Sequence, residues 1–117
     1  MKVYSTDVTK AFLTRERCQI IEILNDPSFP HLSLAQAIVA PGVTTELHSL
    51  KSTLEYYYIT EGKGIMQVGE NRAEVSKGDC IPIQPNQAQC IENTGSEDLV
   101  FLCICHPSFE TNNYKAL

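Results

Sequence analysis

Glu55 sits inside the apolar run Leu54-Glu55-Tyr56-Tyr57-Tyr58-Ile59. A carboxylate in such a run needs a hydrogen-bond partner or a shifted pKa. His48 is the partner within reach, and a His48–Glu55 hydrogen bond needs no metal. Residues two apart on a strand share a face. Tyr57 and Ile59 therefore accompany Glu55, and Leu50 accompanies His48. Tyr57 is placed to orient a bound molecule through its hydroxyl. Tyr56 and Tyr58 fall on the opposite face, where packing or contact with a second copy is expected. In the last apolar run, Phe101, Cys103 and Cys105 share a face. Free cysteines are among the most buried residue types, so packing is the plain expectation for both thiols. Gln36, on a run with Leu32, Leu34 and Ile38, is a further candidate for a pocket wall, with surface exposure an equal alternative. His31 and His106 each adjoin a proline and are expected at the surface. Glu97-Asp98, after Gly95-Ser96, reads as a solvated turn.

The elements that must position these side chains read as strands. Runs 31–39, 54–60, 64–68, 72–75, 80–83, 88–92 and 99–105 are short, apolar and separated by turn signals. Those signals are Pro41-Gly42, Glu61-Gly62-Lys63-Gly64, Gly69-Glu70-Asn71, Lys77-Gly78-Asp79, Pro85-Asn86 and Asn93-Thr94-Gly95. Many short strands at regular spacing predict an all-β antiparallel sandwich or barrel. The segment 14–24 fits either a short helix capped by Thr14 or a strand rich in isoleucine. The polar tail after Pro107 is expected to lie across the surface. One domain over 1–117 is expected, with a barrel core at about 31–107 and a short N-terminal extension.

Composition narrows the partners. The 117 residues are 43% hydrophobic and 20% charged, with a net charge of −5, as in an ordinary globule. No basic stretch favours nucleic acid or an anionic membrane surface. Residues 1–10 lack the apolar run of a signal peptide, and no stretch approaches the roughly 20 apolar residues of a membrane helix. The default expectation is a cytoplasmic protein. Five cysteines, Cys18, Cys80, Cys90, Cys103 and Cys105, are an odd count with no secretion signal, which argues against a disulfide framework.

Two segments resemble the signature motifs of the cupin superfamily. The first motif is G, five residues, H-x-H, three or four residues, E, six residues, G. Gly42, His48, Glu55 and Gly62 match it, and Leu50 stands where the second histidine belongs. The second motif is G, five residues, P-x-G, two residues, H, three residues, N. Gly78 and Asn93 match it, while Gln84, Asn86 and Gln89 replace its proline, glycine and histidine. Asparagine, like glycine, accepts left-handed turn geometry. The closing segment Phe101 to Pro107 is similar to small single-domain cupins of the conserved-barrel type, often labelled mannose-6-phosphate-isomerase-like. The resemblance implies a double-stranded β-helix, the cupin jelly-roll barrel, with degenerate metal motifs. It also implies pairing into homodimers.

In that family three histidines and a glutamate converge on a divalent metal: iron, manganese, nickel, zinc or copper. Carried over, the resemblance leaves His48, Glu55 and Gln89, with Cys103 as a compensating thiolate. Such a reduced set implies a metal held weakly or not at all. Leu50, Tyr57 and Gln36 are the implied pocket residues. Two functions follow from the resemblance. One is a metal-assisted enzyme acting on a small polar substrate, a sugar or a carboxylic or dicarbonyl compound. The other is a non-catalytic, metal-free module for ligand binding or dimerisation.

Overall fold

The computed structural model describes every residue, Met1–Leu117. Its strands are β1 (Phe12–Leu13), β2 (Gln19–Leu24), β3 (Ser33–Val39), β4 (His48–Leu50), β5 (Leu54–Glu61), β6 (Lys63–Val68), β7 (Asn71–Ser76), β8 (Cys80–Ile83), β9 (Gln89–Asn93), β10 (Leu99–His106) and β11 (Tyr114–Ala116). They form two antiparallel sheets, one ordered β1-β2-β3-β10-β5-β8 and the other β11-β4-β9-β6-β7. This is the expected all-β jelly-roll barrel. No helix is long and apolar enough to cross a membrane.

Alternation along the strands builds the core. On β5, Glu55, Tyr57 and Ile59 are buried, while Leu54, Tyr56 and Tyr58 are more exposed. On β10, Phe101 lies opposite Ile59 on one side and Ala37 on the other. The Tyr57 and Phe101 rings stack with centroids 4.3 Å apart. Such a pair adds about 1 kcal/mol to what its burial contributes. Val39, Ile59, Ile91, Leu99 and Phe101 are among the residues buried almost completely between the sheets.

Turn chemistry follows the motif positions. Asn86, in the place of a motif glycine, has φ 69°, and Gly62 has φ 86°. A Cβ on Gly62 would also lie 2.8 Å from the Asp98 carbonyl oxygen, so the position needs glycine for conformation and for space. Asn93 is buried and donates from Nδ2 to the carbonyls of Val39 and Glu97, each at 2.8 Å. Its Oδ1 accepts from the Gly95 amide at 2.9 Å. It ties the β9–β10 turn to β3, and Glu97 and Asp98 in that turn are exposed.

Both terminal segments join the sheets. Segment 14–24 resolves as a tight turn followed by β2, because Ile20 and Ile21 pair with Ala37 and Gln36 of β3. β-Branched residues gain more from that pairing than from an isolated helix turn. The tail keeps to the surface as expected, with no residue after Pro107 buried, and its end also joins a sheet. Its Tyr114–Ala116 stretch pairs with Leu50–His48 of β4. Without that pairing, β4 would be an open edge with unpaired backbone groups.

Candidate functional site

His48 lies on β4, between Gln89 of β9 and Ala116 of β11 in register. Its side chain is 3% exposed. Nδ1 is 2.7 Å from the Glu46 carbonyl oxygen. A carbonyl only accepts, so Nδ1 carries the hydrogen. Of the two neutral tautomers, the one with hydrogen on Nδ1 leaves the lone pair at Nε2. Nε2 faces the Glu16 carboxylate, with Oε2 at 3.8 Å. The Tyr114 ring stacks on the imidazole with centroids 4.8 Å apart. The Tyr114 hydroxyl donates to Glu46 Oε1 at 2.8 Å, and Arg15 Nε lies 3.3 Å from the same oxygen.

Glu55 is enclosed on β5, with 6% of its surface exposed. Its Oε1 accepts from Gln89 Nε2 at 3.0 Å, and its Oε2 accepts from the Cys105 thiol at 3.6 Å. The expected His48–Glu55 hydrogen bond is replaced by these two. Gln89, opposite His48 on the neighbouring strand, spans from one sheet to the carboxylate on the other. Burial pushes the Glu55 pKa up to about 7 against the pull of the Gln89 and Cys105 donors, and the Glu16 charge adds to the rise. Burial likewise raises Glu16, with His48 opposing. Gln89 turns its NH2 to Glu55, and its Oε1 is left buried without a hydrogen-bond partner.

The thiols stay protonated. Burial raises Cys103 and Cys105 well above the usual range, and the Glu55 charge raises both further. Cys18 is pushed up to about 11, again chiefly by burial. No cation stands beside them to favour thiolate.

A cavity of about 780 Å³ opens onto these groups. His48, Glu55, Tyr57 and Cys103 line it together. Gln89 reaches it only by holding Glu55. Leu50 is buried opposite Tyr114 and forms no part of the wall. Gln36 alternates with Ala35 and Ala37, which line the cavity, and so projects from the other face of β3. His31 and His106 are exposed. Sequence reading missed Glu16, Arg15 and Tyr114, which the terminal segments bring to the mouth. Their neighbourhoods are polar and carry no periodic signal. The donor set does not fit a resident metal. No group of three or more His, Cys, Asp or Glu side chains is placed to hold an ion, Leu50 offers no donor, and Gln89 aims its NH2 inward.

Comparison with known proteins agrees with this fold. An uncharacterised protein of Methanocaldococcus jannaschii is 36% identical over 121 residues, spanning 100% of this chain and 97% of that protein. The oxalate-binding protein of Thermotoga maritima is 31% identical over 70 residues, 60% of this chain and 58% of its own length. A solved structure of a predicted oxalate decarboxylase from Thermotoga maritima is 25% identical, with a TM-score of 0.72, covering 77% of this chain and 80% of that one. A nucleoside dehydratase shares the fold at a TM-score of 0.81 and 13% identity, covering 99% of this chain and 92% of its own. Residues 35–105 match the Cupin domain family, and with two antiparallel sheets closing around a lined cavity, the chain belongs to the cupin family.

Proposed function

We propose that the barrel binds a small polar molecule in this cavity without a resident metal, and that His48 and Glu55 exchange protons with it. The observation that carries the reading is the hydrogen bond from His48 Nδ1 to the Glu46 carbonyl. It directs the basic lone pair of Nε2 into a cavity, where a ligand O–H or N–H can be received. Glu16, 3.8 Å away, stabilises the imidazolium that results. Glu55, with its pKa near 7, holds a proton to return to the ligand. Tyr57 keeps its hydroxyl proton and lines the same wall.

Charge separates the substrate classes. Glu16, Glu22, Glu55 and Glu110 line the cavity, and its one arginine, Arg15, is paired with Glu46. A dicarboxylate such as oxalate would enter among like charges with no free cation. A neutral polyol such as a sugar brings donors that these acceptors satisfy. The ligand named for the oxalate-binding relative is therefore not carried over.

Long-range nitrogen–proton NMR of His48 tests the reading. The Nδ1-protonated tautomer is expected, and an Nε2-protonated ring would remove the base. Elemental analysis of the purified protein is a second test. Bound transition metal is expected below about 0.1 equivalent per chain. Near-stoichiometric metal that disappears in His48→Ala would restore the metal-assisted reaction.

Self-association belongs to the same reading. Tyr56, Leu102 and Ile104 share the outward face of the larger sheet with Tyr58, which is 41% exposed. Sedimentation is expected to show a dimer that Tyr58→Glu dissociates. A wild-type monomer at working concentration would remove this part.

A further inference from the structure

The polar end of the cavity is rich in acceptors, and its one arginine is paired. His48 Nε2 has no hydrogen-bond partner although its side chain is 3% exposed, and it lines the cavity. Glu16 and Glu55 face the same space. Arg15 is committed to Glu46, the Thr14 hydroxyl to the Cys18 carbonyl and the Cys105 thiol to Glu55, which leaves the Tyr57 hydroxyl and the Cys103 thiol as uncharged donors on the wall. A molecule seated beside His48, Glu16 and Glu55 gains by bringing donors and positive charge. The outer part of the cavity is different. Phe12, Leu13, Leu24 and Phe109 line it, and Phe12 and Leu13 are 50% and 73% exposed. A volume of about 780 Å³ exceeds what one sugar ring fills and suits a longer body.

We propose that this is an amine-recognition site, in which Glu16 pairs with the cationic nitrogen of a ligand whose apolar body lies along Phe12, Leu13, Leu24 and Phe109. The proposal rests on the cavity being a ligand site and adds the charge and shape of the ligand. One ammonium N–H donates to Glu16 and another to His48 Nε2. Glu16 is fit for this because its backbone is fixed and its side chain is free. Its carbonyl accepts from the Glu46 amide at 3.0 Å, while its carboxylate makes no hydrogen bond and only approaches His48. The turn that carries Glu16 is held by two further bonds. The Thr14 amide donates to the Cys18 carbonyl at 2.9 Å, and Arg17 Nε donates to the Thr44 carbonyl at 2.9 Å. Arg17 takes φ 69° to close the turn. The carboxylate is thus presented at the mouth by a braced loop.

The test is isothermal titration with three probes of one body: 4-phenylbutylamine, 4-phenylbutanol and 4-phenylbutanoate, at pH 7.5. The amine is expected to bind about tenfold more tightly than the alcohol, and the carboxylate more weakly than either. Glu16→Gln, with its fold checked by circular dichroism, should erase the advantage of the amine and leave the alcohol unchanged. Glu16→Lys should turn the preference toward the carboxylate. Equal affinity for amine and alcohol, or an advantage that survives Glu16→Gln, overturns the amine assignment and leaves the cavity reading standing. If none of the three binds at millimolar concentration, this inference falls, while a polyol-binding cavity stands or falls on the His48 tautomer.

Discussion

Glu55→Gln should make the protein more stable by about 3 kcal/mol at pH 8. The native carboxyl has a pKa of about 7 against an ordinary value of 4.5, and burial is the main cause. Between those two values the unfolded chain has lost the proton and the native chain retains it. Stability therefore falls as pH rises through this window, and the loss is complete above pH 7. Glutamine keeps an acceptor for Gln89 Nε2 and removes the charge. The difference in urea unfolding free energy between variant and wild type should be near zero at pH 4 and reach its full size at pH 8. Glu16 is also raised by burial and leaves a smaller slope of the same sign in both proteins, which the subtraction removes. A variant no more stable than wild type at pH 8 would mean that Glu55 is stabilised as a charge. That result would also withdraw its role as a proton donor. The gain in stability should accompany loss of function, since a site that holds an uncompensated group trades stability for chemistry.

Asn93→Ala should lose about 3 kcal/mol, with no direct effect on the cavity. The side chain makes three hydrogen bonds from a buried position, two to carbonyls and one from an amide. Alanine leaves the Val39 carbonyl, on a residue with no exposed surface, without its asparagine donor. It also frees the turn that joins β9 to β10. Asn93→Asp should do no better, because a carboxylate would face two carbonyl oxygens. Equilibrium unfolding in urea checks both, and a cost below about 1 kcal/mol for alanine would show that water replaces the side chain. The His48 tautomer should be unchanged in the folded fraction, which separates this structural position from the chemical ones.

Glu55 was legible from the apolar run that holds it, and Asn93 from a turn signal and its place in the resembled cupin motif. Strand alternation has a period of two, so a single carboxylate in an apolar run names its own face and those of Tyr57 and Ile59. Left-handed geometry at Asn86 follows from residue type at a turn. Alternation left Gln36 open between pocket and surface, because parity along a uniformly apolar run is free until a neighbouring strand fixes which residues face inward. In the fold, Ala35 and Ala37 take the cavity side.

What the sequence determined by itself was the all-β fold and the inward set on β5, while a shared space for His48 and Glu55 was what the cupin resemblance implied. Only the tertiary structure decided which of them touch. Gln89 and Cys105, not His48, hold Glu55, and His48 is completed by Glu16 and Tyr114 from opposite ends of the chain. Contacts between residues so far apart in sequence depend on closure of two sheets and docking of both termini. No periodicity within a single strand encodes them.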